Sequence, residues 1–321
     1  MTTRNTPSKK LLPKGQHDRN SAQVSAYDDN ASEAGGPNAS GPNASGPNAS
    51  GLSYLSENGL KNSTEERCEH VLSVTNVNVA ARLFVKKLEA RKGECIHIIG
   101  PNGAGKSTLL LTLAGLINPD AGEVSLYNKP MSHWTLASLS SVRTVLAQHS
   151  ESSFHLTVKE YLSFYTVIQQ RPFVPALLEK ALEVSGFLDK ILTRLSGGER
   201  QRVEICRALL QIWPQLERGE GIVLLDEPLQ GLDIRHQYAL ASLVKALCVK
   251  GNTILMTSHD IALSANYSDS LWIMRKGEVF AAGEPRAVAT QNNLEKVFEC
   301  HFAISKHDNF LEIQVCAPIS L

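Results

Sequence analysis

Nine consecutive residues, GPNGAGKST from 100 to 108, place a glycine-rich turn directly before a lysine and two hydroxyls. The spacing is G-x-x-x-x-G-K-S/T. Glycines let the backbone curl until successive N–H groups face a di- or triphosphate, and the helix start that follows adds its positive end. Gly100, Pro101, Asn102, Gly103, Ala104, Gly105, Lys106, Ser107 and Thr108 are therefore candidates for a nucleoside triphosphate cradle. Lys106 is expected to reach the β and γ phosphates, and Ser107 to offer its hydroxyl to Mg²⁺. Glycine turns are common, but the full nine-residue match between a strand and a helix is not.

Further along, IVLLDEP ends four apolar residues in two carboxylates. Asp226 and Glu227 fall at the C-terminal end of a buried strand, where α/β sheets bind ligands. Asp226 is expected to help hold Mg²⁺ through water, and Glu227 to polarise or deprotonate an attacking water. Gln148, after VRTVLA, is a candidate sensor of Mg²⁺ or water. His259, after NTILMTS, is placed to hydrogen-bond a γ-phosphate, and Asp233 in LQGLD to bridge to another subunit. Alone, each would read as an ordinary surface or turn residue.

A second glycine turn, LSGGERQRV at 195 to 203, has no lysine and cannot be a complete phosphate site. It still offers Ser196, the amides of Gly197 and Gly198, and a helix dipole to a phosphate held elsewhere. The economical arrangement is a two-fold, head-to-tail pair in which each chain caps its partner's nucleotide.

The elements that must position these groups alternate. HVLSVTNVNV reads as an edge or outer strand, ECIHIIG as a buried strand, KSTLLLTLAGL as a helix and EVSLYNK as a strand. Thr157 to Glu160 reads as a capping box opening a helix through Gln170. PALLEKALEVSGF, ERQRVEICRALLQI and the stretch from about 235 to 249 read as helices. GIVLLDEP and NTILMTS read as strands, and LWIMRKGEVFAAG as a hairpin. Alternation with apolar central strands indicates an α/β core with helices on both faces.

Residues 1 to 70 differ in texture. They repeat GPNAS three times between 36 and 50 and carry few large apolar side chains. Such a segment cannot offset roughly 1–2 kcal/mol of backbone entropy per ordered residue, so disorder is expected. The chain's 32 basic residues equal its 32 acidic ones, which leaves no whole-chain field toward nucleic acid or anionic lipid. Six scattered cysteines, Cys68, Cys95, Cys206, Cys248, Cys300 and Cys316, lack metal or disulfide spacing and read mostly as small buried hydrophobes in a reducing compartment. No apolar run approaches the length of a membrane span, and no secretory signal opens the chain, so a soluble protein is expected.

GPNGAGKST, Gln148, LSGGERQRV, IVLLDEP, Asp233 and His259 occur in the order found in the ATP-binding subunits of ABC transporters, and the chain resembles that family over about residues 71 to 300. The resemblance implies an α/β fold with a RecA-like P-loop NTPase core, a helical signature subdomain at about 150–212 and a small antiparallel β subdomain near the adenine, within an ATPase domain at 71–321. It implies ATP and Mg²⁺ as ligands. Gly100 to Thr108 match the Walker A loop, Gln148 the Q-loop and Leu195 to Glu199 the signature; Asp226 and Glu227 match the Walker B pair, Asp233 the D-loop and His259 the switch histidine. Lys106, Gln148, Glu227 and His259 are then the catalytic set, with Ser107, Gln148 and Asp226 toward the metal. The runs RALLQIWPQLERGEGIVLLDEP and NLEKVFECHFAI further resemble the ATP-binding subunits of bacterial vitamin B12 (cobalamin) importers.

That likeness implies a head-to-tail dimer with a second copy, membrane permease subunits as partners and a periplasmic cobalamin-binding protein indirectly. It also implies a peripheral place on the cytoplasmic side of the inner membrane. Iron-siderophore or haem import is the alternative, since cargo does not touch this subunit. A non-transport role on DNA or ribosomes fits less well with a single core and no basic tract, and no nucleic-acid partner is expected. The chain departs from the family pattern in NVAARLFVKK, which lacks an obvious adenine-stacking aromatic. Arg82 stands where the cobalamin importers also have an arginine, and Phe84 is the alternative contact. The low-complexity N-terminal segment is foreign to the family.

Overall fold

Three mostly apolar runs form the centre of the sheet in the computed structural model, which describes residues 70–147, 155–166 and 172–319. They are β3 (Cys95–Ile99), β7 (Ile222–Leu225) and β8 (Thr253–Thr257), and every residue in them is buried. Strands covered on both faces need no polar alternation. With β6 (Arg143–Leu146) and β9 (Ser270–Arg275) they pair in parallel in the order β9-β3-β8-β7-β6.

On the β9 side the sheet turns antiparallel. The expected hairpin is present: β9 pairs with β10 (Glu278–Gly283). Next come β2 (Leu83–Arg91), β1 (His70–Val79), β4 (Ala121–Leu126) and β5 (Lys129–Pro130), which complete a ten-stranded sheet. One expectation is settled here. Of edge or outer strand, His70–Val79 is not an edge, because it pairs with β2 on one side and β4 on the other. The expected antiparallel β region is present and runs on from the core sheet, joined by the parallel pair Glu278↔Phe84 between β10 and β2. A hairpin that the sequence reading did not register, β11 (Cys300–Lys306) with β12 (Leu311–Pro318), forms a separate two-stranded sheet.

The helices follow their caps. α1 (Lys106–Leu113) starts at the glycine turn, and α2 (Leu136–Val142) at Thr135. α3 (Val158–Ser163) opens on the expected Thr157–Glu160 capping box but stops at Ser163, short of the reach expected for it. α4 (Ala176–Leu182) ends where Glu183 turns left-handed, and α5 (Gly197–Gln211) is the long helix behind the second glycine turn. α6 (Trp213–Arg218) is set off by Pro214 and stopped by a left-handed Gly219. α7 (Ile234–Val249) begins at Asp233, and α8 (Ile261–Tyr267), α9 (Pro285–Val288) and α10 (Gln291–Phe298) complete the set.

One apolar cluster unites the helical region with the sheet: Leu162, Leu178 and Val203 pack in the same core as Val223, Ile254 and Met256. The signature helix is thus held to the strands that carry the carboxylates. Cys95, Cys206 and Cys248 are buried as expected, but Cys300 is half-buried and Cys316 exposed, because the C-terminal hairpin leaves most of β12 uncovered. Among the described residues no helix is long and apolar enough to cross a membrane. Residues 1–69, with their repeat, lie outside the described residues.

Candidate active site

The glycine turn is crowded by its neighbours at Gly100 and Gly105 and open at Gly103. Gly100 has φ 155°, and a Cβ there would stand 2.3 Å from the Met274 carbonyl oxygen of β9. Gly105 is the helix N-cap in the left-handed region, φ 97°, with no side-chain cap on the first turn of α1. The amides of that turn, which have no intrahelical acceptor, are left to a ligand. Lys106 is buried and lies along the loop, donating from Nζ to the carbonyl oxygens of Gly100 at 2.8 Å and Pro101 at 3.2 Å. Burial lowers its pKa from the usual lysine value, against the opposing pull of Glu227 and Asp226. An approaching phosphate supplies a stronger acceptor than those carbonyls.

A cleft of about 800 Å³ opens over this loop, and Asn102 through Thr108, Arg82, Glu227 and His259 all line it. Gly100 and Pro101 do not line it; their carbonyl oxygens accept from Lys106. The parallel register Leu225↔Met256 brings Asp226 beside Thr257 at the strand ends. The Thr257 hydroxyl donates to Asp226 Oδ1 at 2.7 Å and accepts the Glu227 amide at 2.7 Å. One buried hydroxyl therefore orients the side chain of the first acid and the backbone of the second. Glu227 is held in the left-handed region at φ 50°, and its Oε1 lies 2.6 Å from Nε2 of His259. His259 stands half-exposed at the mouth, while Glu227 is buried.

Ser196, Gly197 and Gly198 do not line the cleft of their own chain. Ser196 instead caps α5: its hydroxyl accepts the Glu199 amide at 3.2 Å, and the Glu199 carboxylate accepts the Ser196 amide at 2.9 Å. The first-turn amides of Gly197 and Gly198 have no intrahelical acceptor. Gly198 sits against the D-loop, since a Cβ would lie 2.9 Å from the Gly231 carbonyl oxygen. Asp233 caps α7 through the His236 amide at 2.9 Å and also meets His236 Nδ1 at 2.9 Å. Beyond it, Arg202 Nη1 of the signature helix approaches His236 Nε2 at 2.9 Å.

The structure thus brings together Arg82, the phosphate loop, Asp226, Glu227 and His259. Gln148 lies outside the described residues. Phe84 is 41% exposed and does not line the cleft, whereas Arg82 does, so Arg82 is the nearer of the two base-contact candidates. On the helix behind the Thr157–Glu160 capping box, Tyr161 is buried and bonds Glu204 at 2.9 Å, packing the helical region, while Phe164 at its C-cap is 72% exposed. Thr257, Gln230 and Lys276 were not singled out from the sequence. Thr257 became legible only through strand register, and Gln230 and Lys276 through the folding of two turns over the cleft.

A sequence model of the ABC transporter family matches residues 85–230. The hemin import ATP-binding protein of Rhodopseudomonas palustris (strain BisB5) is 39% identical over 68% of this chain and 85% of its own length. The chain belongs to the ABC transporter family. It is the ATP-hydrolysing subunit type of that family, with its P-loop NTPase core. The vitamin B12 import ATP-binding protein of Yersinia enterocolitica is 36% identical over 73% of this chain and 94% of its own length. Among solved structures, a dimeric post-hydrolysis ATP-binding cassette bound to ADP and Pi superposes with a TM-score of 0.56. It is 26% identical and covers 67% of this chain and 99% of that one.

Proposed function

We propose that this chain hydrolyses ATP to drive import of vitamin B12 (cobalamin), as a peripheral subunit on the cytoplasmic side of the inner membrane. The observation that carries the ATPase chemistry is the single cleft joining Lys106, Glu227 and His259. Lys106 exchanges its two loop carbonyls for the β and γ phosphates of ATP. Glu227 takes the proton of the attacking water, and His259, 2.6 Å away, holds the carboxylate and reports on the γ-phosphate. Thr257 keeps both acids in place during turnover. The donor set of Ser107 hydroxyl and Asp226 carboxylate, with Gln148, is all hard oxygen and fits Mg²⁺. When bound, Mg²⁺ neutralises charge building on the phosphates.

Ser196, Gly197 and Gly198 cap the ATP of a second copy, so that each dimer encloses two nucleotides. Permease contact falls on the face around Phe164, where a groove of about 330 Å³ also borders Tyr165, Ser140 and Gln211. Support for cobalamin comes from the match running over 94% of the Yersinia relative's length. The 39% identity to the hemin import protein favours haem as the second reading. Reconstitution with the permease in vesicles, followed by ATP-dependent uptake of cobalamin and of hemin, separates them. Cobalamin uptake is expected; uptake of hemin alone would overturn the cargo assignment.

A further inference from the structure

The signature turn carries a charge of the wrong sign for its task. A helix end that meets a triphosphate holds a carboxylate in its first turn, Glu199, and like charges brought together in a closing interface repel. Lys190 answers that charge: its Nζ lies 2.8 Å from Glu199 Oε1, while Oε2 of the same carboxylate accepts the Ser196 amide. The backbone of Lys190 is bound elsewhere. Its carbonyl accepts the Val158 amide at 2.9 Å, the Leu188 carbonyl accepts Lys159 at 2.9 Å, and Thr157 bridges Ile191. Val158 and Lys159 begin α3, the helix whose C-cap is Phe164, on the proposed permease-facing side.

We propose that Lys190 is a positioning residue for ATP hydrolysis: it neutralises Glu199 and fixes the signature turn to the start of α3, so that the turn can close on a partner's triphosphate. This rests on the capping reading given above. Lys190 and the Ser196 amide hold the Glu199 carboxyl down at about 2, so the group carries its charge in the separate chain. With Lys190 half-exposed, the pair adds little to the stability of the separate chain. Its effect is reserved for the closed state, where the carboxylate faces the ligand's charge away from bulk water.

The test compares Lys190→Ala, Lys190→Arg, Glu199→Gln and the double variant Lys190→Ala/Glu199→Gln in the full chain, by ATPase kinetics and thermal melting. Lys190→Ala is expected to lower kcat by about ten-fold with KM and melting temperature near the parent's, and Lys190→Arg to restore it. The double variant should recover to within about two-fold of Glu199→Gln, because the uncompensated charge is gone. Parent-like kcat in Lys190→Ala, or a double variant as slow as Lys190→Ala, would overturn the proposal. Ser196→Arg, run in parallel, isolates the capping reading: ATP-driven closure that survives this change sinks that reading whatever Lys190 does.

Discussion

The phosphate loop and the signature turn both run through glycines into a helix, yet their N-termini are finished in opposite ways. α1 begins at a left-handed glycine with no side-chain cap, and the one charge at its start, Lys106, is buried against loop carbonyls. α5 begins with a complete capping box, Ser196 and Glu199 each serving the other's amide, and with a surface lysine on the outside. The first is built to be completed by a ligand. The second is complete without one, as it must be if it spends part of each cycle apart from any nucleotide. A capping serine that accepts the Glu199 amide still has its own hydroxyl proton to donate, and the two glycine amides beside it have no intrahelical acceptor. On the proposed reading, binding strength resides in one turn and conditional contact in the other.

The largest expected effect tests the first half of that contrast. Lys106→Ala removes the charge aimed at the phosphates and should lower ATP turnover by about 100-fold or more. The fold should persist, because the ammonium makes only two bonds to loop carbonyls. ATPase assay and thermal melting check both points; parent-like turnover would dissolve the distinction between the turns.

A smaller effect separates the two signature glycines. At Gly198 an added Cβ would press on the Gly231 carbonyl at 2.9 Å, whereas at Gly197 it meets nothing within 4 Å. Gly198→Ala should therefore push the signature from the D-loop and slow hydrolysis by about ten-fold, with Gly197→Ala nearer the parent. If Gly197→Ala proves the worse of the two, outward access of the Gly197 amide matters more than the packing against Gly231.

The smallest effect is on stability. Ser196→Ala deletes the cap of α5 and should cost about 1 kcal/mol in a denaturation experiment. Binding of ATP to the separate chain should not change, since Ser196 does not line that chain's cleft. A weakened single-chain affinity would mean that the two turns are not independent.

Much of this was legible in the residues. Lys106, Asp226, Glu227 and His259 announce themselves because each follows or precedes an apolar strand at a fixed spacing, and the Thr157 capping box reads as T-x-x-E; the same spacing at Ser196 and Glu199 shows itself as a cap only in the fold. Thr257 was not legible: its role depends on β8 lying beside β7 in a register that brings Met256 level with Leu225. The strand at His70–Val79 read as an edge because its alternation reports one wet face and says nothing of hydrogen-bonded neighbours. Tyr161 and Phe164 lie on one helix and its cap, and only packing shows that the first turns inward and the second out.

The account stands most directly on whose phosphate the signature turn touches. Sedimentation of the Glu227→Gln protein with and without Mg-ATP measures it, because loss of the base slows hydrolysis while leaving the cradle around Lys106 whole. An ATP-dependent dimer that disappears when Ser196→Arg is added is the predicted result. A protein that stays monomeric at saturating ATP with the permease supplied, or a dimer indifferent to Ser196→Arg, would contradict it.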